Sequence, residues 1–240
     1  MHHLTQTDQR HALLIGVNSY DFLGELSFAK QDAESFASML SSICDFPPNS
    51  VQLMTCSSKG GMRAQGRYIE EMISGLPSLD ELDLLVIGFW GHGFTTSNGT
   101  MFLCGYDARE DQLERTAVSM DFIRAKVVQA GAKNTLMILD CCQSRAAGRG
   151  FAHKLTAEAE IEVNRAARIV QTKTEDKTSQ RPRSISVITS CRQGESAYEW
   201  QERQHGIFTA HFLDAIENGN STAAEISNYL SGKVPRTAME

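Results

Sequence analysis

Three short apolar runs limit what this chain can fold into: Ala12 to Val17, Leu82 to Trp90 and Leu136 to Leu139. Each is too short for a buried helix and lacks the alternation of a half-exposed strand. Such runs suit strands covered on both faces of a parallel sheet. Val51 to Cys56 and Ser186 to Ser190 read as further strands, and Met101 to Tyr106 as a short strand or half a hairpin. Between them lie helical patterns. Ser27 to Ser41 sets Phe28, Ala29, Ala33, Phe36, Ala37 and Leu40 on one stripe, and Ala64 to Ser74 and Val118 to Ala130 follow. Ile207 to Glu217 and Ala223 to Leu230 are predicted as the last helices. Strands alternating with helices in this way predict an α/β fold, a mostly parallel sheet with helices on both faces.

At 240 residues the chain is long enough for one large domain of this kind. A net charge of −6 gives no support to nucleic-acid binding, and no run is long enough to span a membrane. The N-terminus has no apolar signal core. The six cysteines show no framework or zinc-ligand spacing, which points to free thiols in a reducing compartment and a cytoplasmic location. One internal segment stands apart. Residues 146–183 include an Ala-rich stretch, Ala152 to Val170, and a run from Thr172 to Arg183 without an apolar residue, read as a mobile linker.

The chemistry gathers where strands end. Leu136 to Leu139 runs into Asp140-Cys-Cys-Gln-Ser144, and side-chain alternation puts Asp140 and Cys142 on one side and Cys141, packing inward, on the other. The preceding strand ends in Gly91-His92-Gly93. In a parallel sheet these two ends share an edge, so His92 and Cys142 can converge as base and nucleophile. The backbone N–H groups of Gly93 and Cys142 are natural oxyanion donors. Asp32 shares a helix stripe with Phe28 and Phe36, where an unpaired carboxylate is costly; it needs a partner or a task.

Taken together these motifs resemble the caspase-like cysteine proteases of the caspase, metacaspase and orthocaspase clan (peptidase C14), most nearly the bacterial metacaspase-like proteins. His92 and Cys142 are fifty residues apart, the separation seen in caspases. Asp140-Cys-Cys-Gln-Ser144 is similar to the metacaspase Asp-x-Cys-His-Ser-Gly, with Gln143 for His and Arg145 for Gly. Leu13-Leu-Ile-Gly-Val-Asn18, the later Asp32-Ala33, and Gly206-Ile-Phe-Thr209 match in the same order. The resemblance implies a single three-layer domain over 1–240, with a large-subunit-like part (1–145), the linker, and a small-subunit-like part (184–240). It implies a cysteine endopeptidase working through a Cys142–His92 dyad, and a regulated role in bacterial defence or cell death.

It further implies that Asp32 and Asp140 line a pocket for Arg or Lys. Caspases that cut after Asp carry an Arg near the position of Leu26 and a Gln at that of Asp140, which this chain lacks. The substrate would add a strand beside Ser196 to Trp200, flanked by Tyr198 and Trp200. Lys173 and Lys177, with Arg165 and Arg168 behind them, become candidates for self-processing. No cofactor is expected. Calcium-dependent metacaspases carry acidic residues where this chain has Val118-Ser-Met-Asp121, although Asp107, Glu110 and Asp111 lie nearby. The family's sixth strand has no apolar run here, so the final sheet edge is expected to be bare, with a strand or effector region following Glu240 or another chain covering it. Two other classes compete: a silent scaffold that recruits an effector, which should have lost His or Cys, and a Cys141–Cys142 redox protein, disfavoured by the strained ring and opposed side chains.

Overall fold

The structure is a computed structural model that describes residues 10–56, 64–76, 83–141, 143–145, 172–174, 183–190 and 198–238, with the backbone alone at Pro48, 143–145, 172–174 and Arg183. In chain order the first elements are β1 (Arg10–Gly16), α1 (Ala29–Ser42), β2 (Val51–Thr55), α2 (Gly66–Ser74) and β3 (Leu84–Trp90). Then come β4 (Gly93–Thr95), β5 (Met101–Leu103), α3 (Leu113–Thr116), β6 (Val118–Ser119), α4 (Met120–Ala130), β7 (Asn134–Asp140) and β8 (Gln143–Arg145). The rest is β9 (Thr172–Thr174), β10 (Arg183–Thr189), β11 (Glu199–Trp200), β12 (His205–Gly206), α5 (Ile207–Glu217) and α6 (Ala223–Thr237).

The main sheet runs β2-β1-β3-β7-β10-β9, parallel as far as β10. Its strands send alternate side chains to opposite cores, as the unbroken apolar runs require. Leu13 and Ile15 of β1, Leu85, Ile87 and Phe89 of β3, and Met137 and Leu139 of β7 join one core with α2 and α4. Ala12, Leu14, Val86, Trp90 and Ile138 join the other, under α1, α5 and α6. Cys141 falls in the first core and is buried. Asp140 faces the second, as alternation predicts. The register sets Trp90 opposite Asp140, so β3 and β7 end level.

Four features differ from the sequence reading. The edge beyond β10 is not bare, because Thr172–Thr174 pairs antiparallel with Arg183, Ser184 and Ile185. Its two β-branched threonines suit a strand that covers an open edge. Lys173 therefore sits in a paired strand rather than in a loose loop. The helix expected over Val118 to Ala130 starts at Met120, because the Ser119 hydroxyl accepts the Phe122 N–H as a cap and leaves Val118–Ser119 to pair as β6. The last helix continues past Leu230 through Pro235 to Thr237, whose hydroxyl meets His211 Nε2 at 2.9 Å. The strand after His92 was unforeseen: β4 forms a second sheet, β6-β5-β4-β8. No helix of the described residues is long and apolar enough to cross a membrane.

Candidate active site

A small, open cleft lies where β3 and β7 end. Trp90, Gly91 and His92 enter it from β3, and Asp140 from β7. Leu26, Phe28, Ala29 and Asp32 come from the start of α1, and Tyr198, Glu199 and Gly206 from the β11–β12 hairpin. Its described lining thus carries three carboxylates and no lysine or arginine.

His92 is held on three sides. Its ring lies 4.7 Å from that of Tyr20, and its backbone N–H donates to the Tyr20 hydroxyl at 2.8 Å. The approach is close enough that a Cβ on Gly91 would stand 2.6 Å from that hydroxyl, which explains one of the flanking glycines. His92 Nε2 lies 2.7 Å from the Gly24 carbonyl oxygen. A carbonyl only accepts, so Nε2 carries the proton and Nδ1 keeps its lone pair. Burial lowers the imidazole pKa below the usual 6.5, against the opposing pull of the Gly24 carbonyl. His92 is therefore built to be neutral.

Cys142, the sequence-predicted nucleophile, lies outside the described residues, as do Ser196, Lys177, Arg165 and Arg168. The described segments beside Cys142 run next to those around His92: Trp90 pairs with Asp140, and Gly93 with Gln143. Gly93, expected as an oxyanion donor, stands between Leu103 of β5 and Gln143 of β8 in the second sheet.

Asp32 and Asp140 both approach Gly206. Trp90 Nε1–H donates to Thr209 Oγ1 at 2.7 Å, and the Thr209 hydroxyl donates to Asp140 Oδ2 at 2.7 Å. An indole can only donate, so the direction of this relay is fixed. Asp32 Oδ2 accepts the Gly206 N–H at 3.1 Å, and Oδ1 lies 2.5 Å from His205 Nδ1. Burial raises the Asp32 pKa; the bonds from His205 and Gly206 oppose that, and Glu199 adds to it. Gly206 has ordinary extended angles (φ −62°, ψ 142°), so conformation does not demand glycine there. Space does. A Cβ would stand 3.1 Å from both Asp32 Oδ2 and Asp140 Oδ2, and its absence leaves a gap between the two carboxylates.

Sequence reasoning missed Glu199 and His205. Glu199 Oε1 accepts the N–H groups of Ser27 (2.5 Å) and Phe28 (3.3 Å), and Oε2 accepts the Ser27 hydroxyl at 2.6 Å. It caps α1, whose own N-cap, Phe28, supplies no side-chain bond. No local signal announces a cap supplied from so far along the chain. Tyr198 borders the cleft and is 59% exposed, free to meet a substrate. Trp200 instead packs 5.5 Å from the His211 ring, under Arg203. Among the described residues no cluster of three or more His, Cys, Asp or Glu is placed to hold a metal ion. Asp107 is engaged as a cap, accepting the Gly66 N–H of α2 at 3.0 Å.

The family model of the caspase domain matches residues 9–239. The chain belongs to the caspase family. Its fold is that of caspases: caspase-1 from Spodoptera frugiperda superposes with a TM-score of 0.61 at 11% identity, covering 95% of this chain and 77% of that one. A structural-genomics target from Geobacter sulfurreducens gives 0.59 at 17% identity, covering 92% and 88%. The pro form of the Spodoptera enzyme gives 0.53 at 13%, covering 93% and 76%. No curated protein sequence matches significantly. Within this caspase-family chain, the cleft at the ends of β3 and β7 joins the residues that sequence reasoning singled out as base and acidic pocket. Membership makes a cysteine-peptidase activity on protein substrates the coarse reading of the site.

Proposed function

We propose that the protein is a cysteine endopeptidase that cleaves after Arg or Lys, with His92 as general base and acid and Cys142 as nucleophile. The observation that carries this reading is the placement of Asp32 and Asp140 around the gap left by Gly206, in the cleft that His92 borders. Two carboxylates at one gap suit a guanidinium, which bonds them in a fork. The third carboxylate, Glu199, adds to the negative field at the cleft mouth.

In the mechanism, His92 Nδ1 takes the Cys142 proton and the thiolate attacks the carbonyl after the basic residue. The proton is then returned to the departing amine as the thioester forms; water attacks that thioester with His92 again as base, the C–S bond breaks, the acid product leaves and the proton passes to the Cys142 sulfur. The oxyanion is assigned to the N–H groups of Gly93 and Cys142. The exposed Tyr198 flanks the bound peptide, which adds a strand beside β11. A panel of fluorogenic peptides differing only in the residue before the cleaved bond tests the reading, with Cys142→Ala as control. Hydrolysis confined to Arg and Lys supports it. Preference for Asp or an apolar residue rejects it.

The low pKa of His92 fixes the direction of the pH profile. A depressed pKa keeps the base neutral until the pH falls below the usual imidazole range, so the acid limb of kcat should lie below about pH 6.5. A kcat that is already falling at neutral pH would contradict the burial argument.

We also propose self-processing in the linker. Lys173 is paired within β9, so Lys177 is the better candidate, with Arg165 and Arg168 after it. Incubated wild type, but not Cys142→Ala, should yield two associated fragments divided between residues 145 and 184. Mass spectrometry of the new termini reads the result, and identical fragments from both proteins would exclude self-cleavage.

A further inference from the structure

We infer that Glu199 is a positioning residue for the substrate strand: by bonding the start of α1 it holds β11 in line with the pocket that Asp32 lines on the same helix. The inference rests on the proposed cleavage after basic residues and on the proposed addition of the peptide beside β11. β11 pairs with β12 in a two-stranded sheet, so among the described residues its far edge has no strand partner. Glu199 stands directly opposite Gly206 in that pair, and each of the two reaches α1. Glu199 Oε1 accepts the N–H groups of Ser27 and Phe28, and Oε2 accepts the Ser27 hydroxyl. The Gly206 N–H donates to Asp32 Oδ2. Phe28 and Asp32 are about one helical turn apart, so the two ties fix both the place and the tilt of the hairpin on the helix.

The turn of the hairpin is fastened separately, by Arg203 to Asp214 of α5 and by Trp200 against His211. The end that borders the cleft, Tyr198 and Glu199, is tied to α1 by the Glu199 side chain. Both oxygens of that carboxylate are engaged by the helix, so the residue is placed to set a distance rather than to grip a cation. A peptide that adds as a strand gains from its main-chain bonds only when the strand it joins is already aligned with the pocket its side chain fills. Glu199 supplies that alignment. Ser27 also follows closely on Gly24, whose carbonyl orients His92, so one anchor relates the substrate strand to the pocket and to the base. Glutamine separates the tie from the charge. Its carbonyl oxygen can accept both N–H groups and its amide can donate to the Ser27 hydroxyl, so the contacts persist while the charge is lost.

The test compares kcat/KM for acetyl-Arg-aminomethylcoumarin with that for a peptide carrying three further residues before the same Arg. Agmatine serves as an inhibitor that fills the pocket alone. The proteins are wild type, Glu199→Gln and Glu199→Ala. In wild type the longer peptide should gain on the order of tenfold in kcat/KM. In Glu199→Ala that gain should fall below about twofold, while the agmatine Ki stays within about threefold of wild type. Glu199→Gln should keep the gain. A plain helix cap would lower the melting temperature of Glu199→Ala and leave the gain intact, and that result overturns the inference. Loss of the gain in Glu199→Gln as well would assign the effect to charge and overturn it too. A wild type that gains nothing from the longer peptide, with agmatine still inhibiting, overturns it without need of a folded variant. Absence of agmatine inhibition and of Arg-peptide cleavage would instead reject the pocket reading itself, and the inference with it.

Discussion

His92→Ala is expected to lower kcat/KM by roughly 10²–10⁴-fold, the contribution of a positioned general base. Cys142→Ala should leave no measurable turnover, because no other group then forms the acyl intermediate. The imidazole is oriented through Nε2 and the Gly24 carbonyl, and a carbonyl cannot take the role of base when the ring is gone. The loss should fall on kcat rather than KM, since the aspartates that are proposed to grip substrate stand apart from His92 on α1 and β7. Cys141→Ala is the control. Cys141 packs in the core with Met137 and Leu139, so its removal should lower stability on the order of 1 kcal/mol and spare catalysis. Peptide kinetics on folded protein, checked by thermal melts, distinguish the three. A dead Cys141→Ala beside an active Cys142→Ala would reassign the nucleophile.

Asp140→Asn carries the second large effect. Asparagine keeps the shape and can still accept the Thr209 hydroxyl through its carbonyl oxygen, so the Trp90–Thr209 relay survives while the charge is lost. Losing a charged hydrogen bond to a guanidinium costs about 2 kcal/mol, or roughly thirtyfold in kcat/KM for Arg peptides. Because the proposed bond would grip the substrate before and during reaction, KM should carry most of the change. Gly206→Ala should produce a comparable loss by a different cause, since its methyl enters the gap between the two carboxylates. If both variants hydrolyse Arg peptides as wild type does, the basic side chain binds elsewhere.

The fold was legible because its signals are local. Leu13 and Leu14 go to opposite cores, as expected of an apolar run in a doubly covered sheet, and Asp140 and Cys141 part in the same way. Asp32 was legible as an anomaly: a carboxylate on an apolar stripe had to find partners, and His205 and Gly206 supply them. Those partners could not be named from the sequence. Periodicity reports which face a residue presents, not which distant loop comes to meet it. Glu199 capping α1 and Tyr20 supporting His92 are of this kind. The edge strand β9 was missed for another reason. A segment without apolar residues has no periodic signal, and what places it is the unpaired backbone of its neighbour.

The relay from Trp90 to Asp140 has a reach beyond the cleft. Gly88 lies in the middle of β3, and a methyl added there would overlap the outer ring carbons of Trp90 and press on Leu14. The indole would have to tilt, taking its N–H away from Thr209 and loosening the hydroxyl that steadies Asp140. On the role proposed for Asp140, a change buried in the sheet would then be read as poorer discrimination among peptides. In any family of variants, the tolerated residue at position 88 and the acid at position 140 should therefore drift together, although they never touch the same molecule of substrate.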